Sequence, residues 1–539
     1  PGVPGIDCDA RLPGVSMAQA LLDELTTLLG TDNVLTDETE RRFYSQDVYR
    51  EGRLPLAVIR PGSTDELIAA LRAIAREGLA VVPRGGGMSY TDGYLPQREN
   101  SISVDLLRLN RVLEVNVEDA YVTVECGATW QSLYEALAPL GVRTPYWGPL
   151  SGQKATIGGA LSQGSMFLGS GRYGAAAESV IGLDVVLVDG TVLKLGSHAN
   201  ALGAPFFRQY GPDTMGMFLS DTGALGIKTR ATFRLMRPQP ESRHLSFQFA
   251  TAADLFEAMG AVARADVVSE CFAFDPGLQG VRMKRARLTD DVKTLGKVMK
   301  AAGGGLTGLK EGAKLVMAGR GFLDEKQFSM HLSLDGRDAA DADARAAVVR
   351  AAVSGARARE VENSVPKVMR ANPFADVTSM LGPGGERWVP VHGVTSFSRA
   401  ASLFDSCQAV FARHTDEMRS FDIDHGYLIA SVGIAGILLE PVLYWPEARL
   451  AFHERVLPPD YLAKLPVFPP NPAATEAVGR IRAALAENFT MQGAVSFQIG
   501  KFYPYQRGLE PGAAAFLRQI KTLVDPDGRM NPGCLGLGN

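Results

Sequence analysis

Pro83-Arg84-Gly85-Gly86-Gly87-Met88-Ser89-Tyr90-Thr91-Asp92-Gly93 follows directly on Leu79-Ala80-Val81-Val82, a short apolar run of the kind that makes a buried strand. Adjacent glycines carry no Cβ, so their backbone N–H groups can turn toward one point and form a nest for an anion such as a pyrophosphate. The pattern is neither GxGxxG nor a P-loop. Taken alone, it equally fits a glycine-rich turn with no ligand.

Upstream, Met17-Ala18-Gln19-Ala20-Leu21-Leu22 opens a stretch with apolar residues at helical spacing, and Leu56 to Arg60 reads as a strand closed by Pro61 and Gly62. Ser63 with Asp65 and Glu66 supplies a cap and early acidic residues for a helix that stops at Gly78. The unit is therefore strand, helix, strand, glycine loop. Downstream, strands are expected at Ile102–Val104, Val112–Val117 and Tyr121–Glu125, a helix from Thr129, and a hairpin turning at Asp189-Gly190.

The texture changes at Pro238 and Pro240, a candidate domain boundary. Beyond it, the strand candidates His244–Ala250 and Ile437–Trp445 and the helix candidate Ala401–His414 suggest an antiparallel sheet covered by helices. Ala286 to Gly321, rich in Lys, Ala and Gly, reads either as a mobile surface excursion or as a solvated helix pair. Residues 1–16, Pro/Gly-rich and preceding Met17, read as a tail or a remnant of expression.

At 539 residues the chain is too long for one ordinary core. Lys+Arg 55 against Asp+Glu 59 gives no electrostatic reason to expect nucleic acid or an anionic membrane as partner. The scattered Cys8, Cys126, Cys271, Cys407 and Cys534 form no CxxC pair, so neither a disulfide framework nor a metal site is expected. No apolar run approaches the ~18 residues of a membrane span. A cytoplasmic enzyme acting on a small molecule is the expectation.

Two further segments share the chemistry of the first. Thr156-Ile157-Gly158-Gly159-Ala160-Leu161-Ser162-Gln163-Gly164-Ser165 combines glycines that permit close backbone approach with hydroxyls and an amide. Asp221-Thr222-Gly223-Ala224-Leu225-Gly226-Ile227 is the third. In this order and spacing the segments resemble the FAD-binding domain of the vanillyl-alcohol oxidase and p-cresol methylhydroxylase family (the PCMH-type FAD-binding domain). The stretches Asn110–Tyr121 and Tyr173–Gly190, the cap-like Glu362-Asn363-Ser364-Val365 and Arg387-Trp388-Val389-Pro390, and the closing Asp525-Pro526-Asp527-Gly528 with Asn531-Pro532-Gly533 extend the likeness along the chain.

The resemblance implies an α+β fold, with a two-part FAD-binding domain at 17–240, a cap or substrate domain at 241–495, and a C-terminal segment, 496–539, returning to the flavin domain. It places the cofactor against Pro83, Arg84, Gly85, Gly86, Gly87, Met88 and Ser89, against Thr156, Ile157, Gly158, Gly159, Gln163, Gly164 and Ser165, and against Gly223, Gly226, Ile227 and Asn531. An acidic residue that phenol oxidases of the family hold near flavin N5 falls on Leu150 or Ser151. Where several members carry a flavin-linking histidine in the loop this chain has Met88, so FAD is expected to be non-covalent, with His425 or Tyr444 as alternative attachment points.

Phenol oxidases of the family hold a phenolate with two tyrosines and an arginine. Tyr90 matches the first tyrosine, whereas Phe497-Gln498 stands in place of the Tyr-Arg pair. A substitute polar set follows in Lys501, Tyr503, Tyr505 and Arg507, whose cations and hydroxyls suit a phenolate or carboxylate. His392 and His425 are the candidate general bases, with His425 favoured for its neighbours Asp424 and Tyr427. The expected catalytic set is Tyr90, Tyr503, Tyr505, His425 and Lys501.

The expected reaction is hydride transfer to flavin N5 from a para-substituted phenol or aromatic alcohol, with oxygen or a redox carrier as acceptor and a homodimer as the assembly. The alternatives are a 2-hydroxy-acid dehydrogenase of the glycolate and D-lactate type, and a flavin-fold binding protein without redox chemistry.

Overall fold

The computed structural model describes residues 17–281, 324–374 and 376–538. Residues 1–16 and the Ala286–Gly321 stretch lie outside them. The first sheet contains β1 (Val34–Leu35), β2 (Ala57–Ile59), β3 (Ala80–Arg84) and β4 (Ser101–Asp105) in the order β1-β2-β4-β3. Strands β2 and β3 both run parallel to β4. Parallel pairing needs a crossover, and the helix Thr64–Arg76 supplies it, burying Leu67, Ala70, Leu71, Ala73 and Ile74. The Ser63 hydroxyl accepts from Glu66 N at 3.1 Å and fixes where that helix begins.

Strand β3 would otherwise present an open edge, and the C-terminal tail covers it. Val81 N donates to Arg529 O at 2.9 Å, and Asn531 N donates to Val81 O at 2.8 Å. The tail is pinned in turn by the buried Lys521, whose Nζ donates to Asp525 (2.6 Å), Ala224 O (2.7 Å) and Met530 O (2.8 Å).

The second sheet is antiparallel, with β5 (Val112–Asn116), β6 (Tyr121–Glu125), β7 (Val180–Val186), β8 (Val192–Gly196) and β9 (Ile227–Arg234) in the order β5-β6-β9-β7-β8. Strands β7 and β8 form the hairpin expected at Asp189-Gly190. Between β6 and β7 the chain makes the short helix Ile157–Gln163, started by the Thr156 hydroxyl accepting from Gly159 N.

The third sheet is also antiparallel. It runs β13 (Arg359–Val361), β10 (Glu241–Phe249), β12 (Phe328–Gly336), β11 (Glu270–Phe274), β16 (Asp424–Val432), β17 (Gly436–Trp445) and β14 (Arg387–Pro390), with β15 (Gly393–Ser396) also on β17. Side chains alternate between its faces. Cys271, Ala273, Tyr427, Ile429, Leu439 and Leu443 join a core with the helices Ala252–Arg264 and Ala400–Arg413. The opposite positions Phe272, Phe274, Leu428, Leu438, Val442 and Tyr444 form a separate apolar face shared with Phe497.

Polar clamps hold this sheet to the rest. Arg370 pairs with Glu270 at 2.8 Å and with Asp335, and Arg143 lies 3.7 Å from Asp335. Arg387 donates to Ala448 O at 3.0 Å and to Tyr49 O, and burial lowers its pKa to about 10. At the end of β11, Asp275 accepts from Leu278 N (2.8 Å) and Tyr427 N (2.7 Å), both at Oδ1. Among the described residues, no helix is long and apolar enough to cross a membrane.

Two stability tests follow from these buried charges. Lys521→Met leaves the fully buried Asp525 carboxylate without its counter-charge and is expected to cost about 3–5 kcal/mol, read as a lowered midpoint in chemical denaturation. Burial raises the Asp275 pKa to about 6 despite the backbone donors around it. Its neutral form is favoured in the fold, so this contribution is full below the unfolded carboxylate pKa and is lost as pH rises through about 6. Asp275→Asn keeps an acceptor for both N–H groups and should remove that decline from a stability–pH curve.

Candidate flavin cleft and substrate chamber

The glycine loop leaves β3 and meets the turn before the helix Ile157–Gln163. A Cβ on Gly86 would collide with the Lys154 carbonyl oxygen, and one on Gly85 with the Thr156 hydroxyl. Gly87 adopts φ +72°, a conformation that side-chain-bearing residues rarely take. The loop, the Thr156–Gln163 segment and the Thr222–Ile227 turn together border a cleft of about 900 Å³ that is partly open to solvent.

Of the cofactor residues expected from sequence, Pro83, Arg84, Gly85, Gly86, Gly87, Met88, Ser89, Thr156, Gly158, Gly159, Gln163, Ser165, Gly223, Gly226 and Ile227 line this cleft. Four are placed otherwise. Ile157 is fully buried in the core behind the helix, and Gly164 forms the helix end at φ +65°, packed against Ser220 and Phe497. Asn531 lies behind the loop, its Nδ2 donating to Gly93 O and Thr222 O at 2.8 Å each. Leu150 faces a second cavity.

The cleft is lined by the glycines of the loop and by the polar side chains of Ser89, Thr156, Ser162, Gln163, Ser165 and Thr222. The Arg84 guanidinium donates to the carbonyls of Tyr44 (2.9 Å) and Gln46 (3.0 Å) and lies 4.8 Å from the Tyr94 ring, so it braces the loop. Lys228 is bound to Asp221 at 2.6 Å. The Gln163 Oε1 is a buried acceptor with no hydrogen-bond partner among the described residues, and Gln163 lines the cleft. A nest of N–H groups for a diphosphate and an unfilled acceptor for a ring N–H fit FAD.

The second cavity, of about 1,140 Å³, opens beside the first, and Met88, Pro149, Ser151, Ser165 and Gln498 line both. Its walls are largely apolar: Met166, Phe167, Leu278, Met380, Trp388, Leu428, Leu438, Val442 and Phe497. Polar groups enter from Tyr90, Glu440, Tyr444 and Gln498. Tyr90 is buried edge-on to Trp388 (5.5 Å between ring centres), and its hydroxyl accepts from Gln498 Nε2 at 3.1 Å. Burial first, then the charge of Glu440, holds its pKa well above the usual tyrosine value.

The other expected catalytic residues are not brought to this chamber. His425 occupies an odd position of β16, opposite Leu443, and stacks on Phe411 at 4.0 Å on the helix-covered face. A strand's period of two sends it away from Leu428 and Tyr444. Lys501 is a loop clamp, donating to Leu95 O (2.7 Å) and Asn531 Oδ1 (3.0 Å), and burial lowers its pKa. Tyr503 lies behind the wall, its hydroxyl accepting from His392 N at 2.8 Å and lying 3.1 Å from His392 Nδ1. That imidazole stacks on Phe497 at 3.9 Å and is held neutral, its pKa lowered to about 3 by burial. Tyr505 begins the short helix Tyr505–Gly508 and lines neither cavity.

Glu440, Trp388 and Gln498 were not expected as chamber residues. For Glu440 a signal existed: it is a lone charge inside the apolar run Ile437–Tyr444, at an even position shared with Leu438, Val442 and Tyr444.

Comparison with known proteins supports the cofactor. A family model described as an FAD binding domain matches residues 55–196. The chain is 30% identical over 232 residues to the uncharacterized FAD-linked oxidoreductase YgcU of Escherichia coli (strain K12), covering 41% of this chain and 46% of that protein. It is 30% identical over 243 residues to the glycolate oxidase subunit GlcD of Bacillus subtilis (strain 168), covering 45% and 48%. It thus spans about half the length of these relatives. Among solved structures, p-cresol methylhydroxylase with substrate bound superposes with a TM-score of 0.72 at 18% identity, over 97% of this chain and 98% of that one. An alkyldihydroxyacetonephosphate synthase does so with a TM-score of 0.67 at 15% identity, over 98% and 87%.

The protein therefore has a PCMH-type FAD-binding fold with an inserted sheet-based subdomain; it shares this fold with p-cresol methylhydroxylase and is similar in sequence, over part of its length, to FAD-linked oxidoreductases. Its cofactor is FAD.

Because Gly86 has a carbonyl where a side chain would begin, Gly86→Ala should displace the loop from Lys154. The expected result is about 1–3 kcal/mol of lost stability together with a protein that purifies depleted of flavin, measured as the ratio of visible to ultraviolet absorbance. Gly355→Ala, at a position with open space around it, is the control and should stay yellow.

Proposed function

We propose that the protein is an FAD-dependent oxidoreductase whose substrate is a para-substituted phenol or an aromatic alcohol. The observation that carries this is an apolar chamber opening directly on the flavin cleft, with the Tyr90 hydroxyl and the edge of Trp388 on its wall. Such a chamber suits an aromatic ring, burying its faces against Phe497, Leu438 and Val442, while Tyr90 takes its one polar end.

Bound FAD supplies a hydride acceptor. The chain's own contribution is position and water exclusion. Met88, Ser151, Ser165 and Gln498 border both cavities, so the reacting carbon would be held where the two meet. FAD is proposed to be non-covalent, given Met88 in the loop and His425 on the far face of the sheet. Tyr444, on the chamber wall, is the attachment point to examine if flavin proves to be linked.

A second reading has support of its own. The sequence relatives include GlcD and a mitochondrial D-lactate dehydrogenase of Arabidopsis thaliana, 30% identical over 279 residues, which favours a 2-hydroxy acid. Anaerobic reduction of the holoenzyme decides between them. Bleaching by 4-hydroxybenzyl alcohols or 4-alkylphenols is expected, with kcat/KM falling at least ~10-fold in Tyr90→Phe. Bleaching by 2-hydroxy acids alone would reject the phenol reading. Acid precipitation should release the yellow colour into the supernatant.

A further inference from the structure

Gln163 brings a side-chain amide to the border of the flavin cleft, and its Oε1 is buried without a hydrogen-bond donor among the described residues. A buried amide oxygen in that state is costly until a ligand supplies the donor. Its place is fixed from two sides. The backbone ends the helix Ile157–Gln163, and the Gln163 carbonyl accepts from Gln498 N at 2.7 Å. The amide end lies against Gly93, where a Cβ would stand 2.5 Å from Gln163 Nε2 and 3.1 Å from the Thr222 methyl. Gly93 is itself held, its carbonyl accepting from Asn531 Nδ2 at 2.8 Å and from Cys534 Sγ at 3.3 Å. Glycine at 93 therefore makes the room in which the amide sits.

The position along the cleft says which part of FAD meets this amide. Ser165, just beyond Gln163, and Gln498, bonded to the Gln163 carbonyl, border both the cleft and the chamber. A ring that takes a hydride from a substrate in the chamber has to lie at this end, with the diphosphate left to the nest of Gly85–Gly87. Oxidised isoalloxazine carries one N–H, at N3, between two carbonyl oxygens. An amide presents an acceptor beside a donor and so matches that edge.

We infer that Gln163, set in place by Gly93, holds the pyrimidine edge of the isoalloxazine, Oε1 accepting from N3–H and Nε2 donating to a neighbouring ring carbonyl. Gln163 is then a cofactor-binding residue with a stated partner atom, and Gly93 a positioning residue that acts through it. The assignment is the same for a phenol as for a 2-hydroxy acid, since Gln163 does not line the chamber.

The test reads the flavin and not turnover. In the holoenzyme, the resonance Raman band of the isoalloxazine that moves on exchange of N3–H for N3–D reports the hydrogen bond at N3. Gln163→Ala should shift that band from its wild-type position. Gly93→Ala, which leaves Gln163 in the chain but fills the space of its amide, should shift it in the same direction, and Gly355→Ala should not. After removal of FAD, the wild type should bind 3-methyl-FAD, which lacks the N3 proton, about tenfold more weakly than FAD, whereas Gln163→Ala should bind the two within about twofold. If Gln163→Ala does not retain the fold, Gly93→Ala and the wild-type ratio carry the decision; if the flavin cannot be removed, the Raman comparison does. An unshifted band in the variants, or equal wild-type affinity for FAD and 3-methyl-FAD, overturns the inference. Weaker FAD binding by Gln163→Ala with the preference over 3-methyl-FAD intact would assign the amide to another part of the cofactor and overturn it equally.

Discussion

The Lys154 carbonyl oxygen lies where residue 86 would carry its first side-chain atom. This approach brings the end of β3 against the turn that starts the helix Ile157–Gln163, and so joins the first sheet to the second. The flavin cleft is the space left above that contact. Arg84, buried and spent on the carbonyls of Tyr44 and Gln46, and Asn531, bonded to Gly93 and Thr222, brace the loop from behind. An anion there is met by peptide dipoles fixed in advance, which need no reorganisation when the charge arrives.

The inserted sheet stands over this cleft through its period of two. One face of β11, β16 and β17 is committed to helices, so the other is left to form a chamber wall, closed by Phe497 from the C-terminal part of the chain. The buried guanidinium groups of Arg143, Arg387 and Arg482 and the half-buried one of Arg370 bridge segments distant in sequence, and each would be costly to leave unpaired. That cost favours one relative placement of wall and cleft. The chamber walls come from segments few of which are contiguous in sequence.

The loop after Phe497 illustrates how local chemistry misleads. Lys501, Tyr503 and Tyr505 have the donors that a substrate oxygen would need, yet Lys501 closes the tail against Leu95 and Asn531, and Tyr503 holds His392. The polar atoms of Lys501 and Tyr503 are thus spent on segments distant in sequence. Gln498, an uncharged residue with no chemical signature in sequence, reaches the Tyr90 hydroxyl instead.

Much was legible in the sequence because it is local. Strand, crossover helix and glycine loop around Gly85–Gly87, the Asp189-Gly190 hairpin and the glycines of 158–159 each rest on backbone geometry that a few neighbouring residues dictate. The FAD-binding fold and the cofactor residues were implied by the resemblance these segments carry in their order and spacing, and most of those residues line the cleft. Tertiary structure alone decided which face of a strand meets the chamber. His425 and Tyr427 point to helices while Leu428 points to the chamber, and that choice is made by Phe411 and its neighbours packing against one face, far along the chain. Among the chamber's polar groups, Tyr90, Glu440 and Gln498 come from three separate stretches, and only the folded chain brings them to one cavity.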